Sequence, residues 1–477
     1  MQFASLFYWY FFLLIATFLW AGSRFKTRWY RNGLLLIVSY VFYGFVSTDA
    51  LILLIFSTTI NHVLSEGLVG AVPGKRRHWM WAGVGFNIGL LGVFKYLDFF
   101  RTSIQSLTDV IGLGIHWPII DLLLPVGISF YCFQGISYIV DLYRGHGIRA
   151  KTIVDFALFQ AFFPQLLIGP ICRSVDLLPQ IHATPLKRFP EFNKAGWLIL
   201  SGLFKKIIVA TLLFENGSLD VFDSPENYSS IGLWGGMFGY SIQLYCDFSG
   251  YTDLARGSAL LLGFDIPENF RQPYSASNLG DFWQRWHITF SQWLRDYIYI
   301  PLGGSKCPPN RVSLNLFITF VICGLWHGAS WGFVIWGGLH GIGLAMHKRS
   351  RDRKRMLGLD PKIEPIGWRF WVGWATTFSF IAISRIFFVT PNLEVAVVFL
   401  ERMCDFSATG LGSKVTLVYA IGLGWIMNFY GTNFFQALCS VTSKRSPFLQ
   451  YVLLISAFFT LMLIRPGGVA PYLYFQF

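Results

Sequence analysis

The chain has 477 residues, 54% of them hydrophobic and only 13% charged, with a mean hydropathy of +0.50. A soluble domain carries about 25% charged residues, and no polar block in this chain is large enough to form one, so the composition excludes a soluble enzyme and predicts a single integral membrane domain over 1–477. The net charge of +13 does not point to nucleic acid, because the basic residues cluster between apolar stretches, as the positive-inside rule requires.

Stretches free of Asp, Glu, Lys and Arg recur at 1–23, 50–65, 122–140, 156–172, 227–246, 312–347, 415–443 and 447–464. The first lacks a basic start and is rich in Trp, Tyr and Phe, which suits a retained span better than a cleaved signal. Arg24, Lys26, Arg28 and Arg31 follow it and are expected on the cytoplasmic side, which puts the N-terminus outside. Lys75 to Arg77, then Arg144, Arg149 and Lys151, and later the basic run 348–355 repeat the signal, whereas Glu215, Asp220, Asp223 and Glu226 mark an opposite loop. The alternation holds if 156–172 dips in and returns, and Pro164, Gly169 and Pro170 there weaken a continuous helix. The fold class expected is all-α, with roughly 11–12 membrane-spanning helices plus re-entrant segments around a central funnel or tunnel.

The longest block without a span is 265–311. Within it Trp283, Trp286, His287, Phe290, Trp293, Leu294 and Tyr297 recur at helical spacing, which predicts one amphipathic helix at the cytoplasmic side. Gly280 or Asp281 would cap it, and the segment from Pro301 to Gly304 would end it.

Four sets of residues carry candidate chemistry. His327 stands in Leu325-Trp326-His327-Gly328-Ala329-Ser330-Trp331, inside the uncharged run 312–347. An ionisable group at such depth is costly and reads as functional by default: a neutral imidazole suits a general base, and the alternative is a helix-to-helix hydrogen bond. His287 either assists at the cytoplasmic mouth or sits in an interfacial aromatic belt. Arg285 and Arg295 either hold phosphates of a nucleotide-like donor or pair with Asp281, Asp296 or lipid head groups. Asp247 and Asp253 either relay protons or pair with Lys205, Lys206 or Arg256, the two lysines otherwise snorkelling out of the apolar run 195–213. The seven cysteines show no CxxC spacing, which disfavours a metal site or a disulfide framework. No GxSxG elbow with the strand context it needs, no Walker A and no HExxH is found, and no oxyanion donor stands out.

In these segments the chain resembles the membrane-bound O-acyltransferase family, closest to bacterial polysaccharide O-acetyltransferases of the alginate type and their peptidoglycan-acetylating relatives. The resemblance is carried by Leu124-Pro-Val-Gly-Ile-Ser-Phe-Tyr131, Ser137-Tyr-Ile-Val-Asp-Leu-Tyr-Arg-Gly145, Phe163-Pro-Gln-Leu-Leu-Ile-Gly-Pro170 and Tyr245-Cys-Asp-Phe-Ser-Gly-Tyr-Thr-Asp253. It continues through Glu268-Asn-Phe-Arg-Gln-Pro-Tyr274, Phe282-Trp-Gln-Arg-Trp-His287, Ser291-Gln-Trp-Leu-Arg-Asp-Tyr-Ile-Tyr299, Leu302-Gly-Gly304 and Leu325–Trp331 to the terminal Tyr474-Phe-Gln-Phe477.

The resemblance implies a catalytic core over about 120–347 in a multi-pass protein of the bacterial inner membrane. It implies His327 as the family's invariant-type histidine and His287 as its second. Trp283, Arg285, Trp286, Arg295, Trp326, Asp247 and Asp253 are then donor-binding or tunnel-lining candidates. No bound cofactor or metal is implied. The donor is a cytoplasmic thioester, acetyl-CoA or another acetyl thioester, and the acceptor an extracytoplasmic polysaccharide reached through a periplasmic esterase-like transferase. Membrane lipid is the other partner. Gln284, where Arg is frequent, and Cys172 after the Gly-Pro turn depart from the pattern and bear on donor and acceptor identity. Two other functions remain open: D-alanyl transfer to teichoic acid, and transport of donor or glycan without chemistry.

Overall fold

The computed structural model describes residues 5–22, 27–112, 124–183, 191–360, 366–407, 409–410, 412, 414–465 and 470–473. The tail Tyr474–Phe477 and the basic residues Arg24 and Lys26, both singled out in the sequence, lie outside the described residues. Among the described residues the regular structure is helical and contains no strand. The protein is an all-α integral membrane protein. Among the described residues five helical stretches are long and apolar enough to cross a bilayer: Thr48–Gly70, Pro73–Val110, Phe192–Glu215, Trp368–Val389 and Val415–Thr442. Leu6–Gly22 and Pro447–Leu463 are apolar but shorter. Many of their large side chains are turned outward, with Phe7, Leu13, Phe459 and Leu463 all more than half exposed. That arrangement is unfavourable in water and neutral against lipid tails.

The described residues pack as two compact units, Met1–Glu191 with Ser258–Pro267, and Phe192–Gly257 with Glu268–Phe477. In the first, helices Thr48–Gly70 and Pro73–Leu91 are joined by a reciprocal amide pair. Asn61 Nδ2 donates to Asn87 Oδ1 (3.2 Å) and Asn87 Nδ2 to Asn61 Oδ1 (2.7 Å). Helix Ile128–Arg144 closes on that pair through Gly135, where a Cβ would sit 2.8 Å from Asn87 Oδ1. The break expected in 156–172 is present. Helix Ile153–Ala161 stops at Phe162, Phe163–Leu166 adds one turn with Pro164 near its start, and the chain then runs irregularly past Gly169 and Pro170. From Asp155 to Cys172 the chain is buried in protein, the condition under which non-helical chain is tolerated at membrane depth.

In the second unit, helices Pro309–His327 and Trp331–Met356 form a tight hairpin. Glycines set its closeness: a Cβ on Gly324 would strike the carbonyl oxygen of Phe333, and one on Gly337 that of Phe320. Small residues at such crossings let membrane helices approach to backbone contact. Gly337→Ala is expected to cost about 1–3 kcal/mol by overpacking, seen as a lower melting temperature of the purified protein in detergent. An unchanged melting temperature would mean that the hairpin is not held this closely.

The expected amphipathic helix and its cap need correction. The amphipathic helix is not continuous. Leu279–Arg285 and Ile288–Leu294 are separate helices, broken at Trp286 and His287, where His287 takes φ 43°. The break is held from outside, by Arg271 N donating to Arg285 O and Ile288 N to Asn269 O, both 2.9 Å. The N-cap is Asn278, whose Oδ1 accepts from Asp281 N at 2.9 Å, instead of Gly280 or Asp281. Nor do Lys205 and Lys206 snorkel. Both are buried where helix Phe192–Leu203 widens into π-type turns over Phe204–Ala210. Lys205 Nζ pairs with Asp253 at 2.8 Å and Lys206 with Asp247. The carboxylates stand six residues apart on helix Ser230–Leu261, so each lysine finds its own partner.

Candidate active site

His327 is the last residue of helix Pro309–His327, and Gly328 and Ser330 continue in extended conformation into helix Trp331–Met356. The ring is half-buried among aromatics, with centroids 4.6 Å from Trp326, 5.0 Å from Trp336 and 4.9 Å from Phe388. It borders a cavity of ≈ 30 Å³ whose wall also includes Trp283, Trp286, Trp336, His340 and Arg385, the rest being aliphatic and phenylalanine side chains.

His340 was not singled out in the sequence. It lies in the same uncharged run as His327, and its i, i+4 spacing from Trp336 was the available signal. Its two nitrogens are both engaged. Trp283 Nε1, a donor only, reaches Nδ1 at 3.3 Å, so Nδ1 accepts. Nε2 must then carry the hydrogen and donate to Ser384 Oγ at 3.0 Å, while Ser384 donates to Ile381 O at 2.9 Å. A ring so committed fixes the cavity wall and the Trp283 side chain; it does not present a basic lone pair to the cavity.

His287 is 1% exposed and its Nδ1 lies 3.1 Å from Asn269 Oδ1. That oxygen also accepts from Thr289 N (3.2 Å) and Thr289 Oγ1 (2.9 Å), so Nδ1 donates and Nε2 is the basic nitrogen. Burial pushes this imidazole down to about 3, so it is neutral near pH 7. The unfolded chain therefore binds the extra proton between about 3 and the usual 6.5, and His287 lowers stability as pH falls through that window. His287→Gln is expected to shift the acid limb of the melting temperature to lower pH. A limb unmoved by this change would contradict a buried neutral ring. Trp326 lies between the two histidines, its ring 6.0 Å from His287 and 4.6 Å from His327, with the Phe290 ring tilted against it at 4.0 Å.

The residues predicted from sequence thus divide. His327, Trp283 and Trp286 border one cavity, and Trp326 and His287 pack beside it. Arg285 is bound to Asp281 at 2.7 Å, and Arg295, largely exposed, to Asp296 at 2.6 Å. Asp247 and Asp253 are held by the two lysines, and Asp247 also accepts from Leu473 N at 2.8 Å. None of these four is part of the cavity wall. Arg385 is, and sequence reasoning passed over it although it is the single charge between 370 and 393.

A family model described as MBOAT, membrane-bound O-acyltransferase family, matches residues 151–390. The chain is similar to a probable alginate O-acetylase AlgI of Pseudomonas putida, with 34% identity covering 94% of this chain and 95% of that relative. It is similar also to a peptidoglycan O-acetyltransferase of Helicobacter pylori, 36% identical over 79% of this chain and 74% of the relative. A teichoic acid D-alanyltransferase of Bacillus subtilis is 29% identical over 48% of this chain and 60% of its own length.

Proposed function

We propose that this chain, which belongs to the membrane-bound O-acyltransferase family and is an acyltransferase, carries acetyl groups from a cytoplasmic thioester to a polysaccharide on the other side of the bacterial inner membrane. The donor is acetyl-CoA or another acetyl thioester. The acceptor is an alginate-like exopolysaccharide or peptidoglycan, reached through a periplasmic esterase-like transferase. The observation that carries this reading is His327 at a helix C-terminus, bordering a cavity walled by aromatics, inside the segment that matches the family.

The chemistry follows from that placement. The acceptor hydroxyl gives its proton to the His327 imidazole as its oxygen attacks the thioester carbonyl. The C–O bond forms, the C–S bond breaks, and the thiolate leaves with the proton that the imidazolium returns. Trp283, Trp326 and Trp336 keep water from competing for the acyl carbon. His340 holds Trp283, and His287 holds the bend that brings Trp286 to the cavity wall.

The test is incubation of the purified protein with acetyl-CoA labelled in the acetyl group, together with the glycan acceptor and its transferase. Free thiol is expected to appear with wild type and not with His327→Gln. Absence of thiol from wild type would favour transport without chemistry. Turnover only with a D-alanyl carrier protein would favour the teichoic acid reading, which the lower likeness to the Bacillus subtilis relative ranks second.

A further inference from the structure

Arg385 is an arginine that this fold should not carry without a use. It falls at the bend between helices Trp368–Ser384 and Ile386–Val389, is 4% exposed, and has no carboxylate within ion-pair distance among the described residues. Burying a guanidinium is costly unless it is paired. Its observed compensation is small. One N–H group donates to the Tyr274 hydroxyl at 2.6 Å, and that hydroxyl donates onward to Ser241 O at 2.7 Å. The guanidinium is held between two rings, its Cζ 5.4 Å from the Tyr274 centroid and 5.1 Å from that of Trp286. This fixes its plane and leaves most of its five donors to be satisfied by something else.

The second observation is Trp336. Its ring is 6% exposed, and its Nε1 is buried without a hydrogen-bond partner among the described residues. Arg385 and Trp336 border the same cavity as His327, and Phe388, one turn beyond Arg385, packs on both the Trp336 ring (5.3 Å) and the His327 ring (4.9 Å). One cavity thus gathers a buried cation without a counter-ion, a buried donor without an acceptor, and a histidine.

We propose that Arg385 and Trp336 Nε1 form the electrophilic wall of the site, donating hydrogen bonds to the carbonyl oxygen of the acyl group while His327 takes the proton of the attacking hydroxyl. This rests on the acyl-transfer reading above and names the oxyanion donors that the sequence did not reveal. The atoms balance without a further reagent. As the C–O bond forms, the carbonyl π electrons move onto oxygen, where Arg385 and Trp336 stabilise the charge. They return as the C–S bond breaks. Donors preorganised where charge develops are worth far more in a dry site than in water.

The experiment compares two non-reacting analogues of acetyl-CoA, a ketone that keeps the carbonyl with CH2 in place of sulfur, and an ethyl thioether that lacks it. Binding to purified wild type, Arg385→Gln and Trp336→Phe is measured by calorimetry, with acyl turnover alongside. Arg385→Gln should lower kcat by about 10²–10³-fold, the effect of removing one oxyanion donor, and Trp336→Phe by less. Both variants should weaken the ketone and leave the thioether unchanged. Equal weakening of both analogues, or of neither, in the two variants would overturn the assignment. If Arg385→Gln does not fold, Trp336→Phe decides by the same comparison. A wild type that turns over thioester and binds both analogues while the variants show no carbonyl-specific loss sinks this inference alone. A wild type that neither binds them nor releases thiol sinks the acyl-transfer reading itself.

Discussion

His327→Ala should reduce acetylation of the glycan by about 10²–10⁴-fold, the contribution expected of a general base, in cells that hold the variant at wild-type level. The effect is large because no other imidazole in the cavity can take over. His340 has both nitrogens committed, to Trp283 and Ser384, and His287 lies beyond the Trp326 ring. Acetate released from the glycan by mild base gives the measurement. His340→Asn, which keeps a polar group but loses the geometry held with Trp283, should cost less than loss of His327. Undiminished acetate with His327→Ala would remove this histidine from the chemistry, whatever its place in the cavity.

Lys206→Met should destabilise the fold by about 3–5 kcal/mol, because it leaves a buried carboxylate without its cation. Lys206 is fully buried. Its ammonium donates to Asp247 and to Pro471 O, the latter at 3.2 Å, and sits 3.8 Å over the Tyr472 ring. Asp247 in turn accepts from Leu473 N. One ion pair therefore ties two helices and the segment 470–473 together, and its loss should loosen all three. The double change Lys206→Met with Asp247→Leu should recover much of the loss, since an apolar pair of similar size often replaces a buried ion pair without cost. Melting of the single and double variants in detergent measures both. A double variant no more stable than the singles would show that the pair is favourable in itself and does not merely avoid an uncompensated charge.

The general architecture was legible in the sequence because hydropathy is a local property: a run of apolar residues long enough to cross is helical wherever it occurs. His327 was legible because an ionisable side chain in such a run is expensive. The helix break at His287 was not. The periodicity from Trp283 to Tyr297 is that of one helix, and the φ of 43° is held by Arg271 N donating to Arg285 O and Ile288 N donating to Asn269 O, long-range bonds that no local pattern encodes. The pairing of Lys205 with Asp253 and of Lys206 with Asp247 was open among alternatives, because sequence gives the charges and not which helices meet. Arg385 shows the converse. Its isolation between 370 and 393 is as strong a signal as that of His327, but an arginine near a span end also reads as a snorkelling one, and only its burial beside Trp336 separates the two.

The central claim is that an acetyl group changes hands at His327 on its way between the two sides of the membrane. Sealed vesicles containing the protein in one orientation, supplied with labelled acetyl-CoA on the cytoplasmic face and glycan acceptor with its transferase on the other, test it most directly. Labelled acetyl should accumulate on the acceptor face with wild type and be absent with His327→Ala, while free thiol stays on the donor face. Equal accumulation with the variant, or labelled product confined to the donor face, would contradict the account.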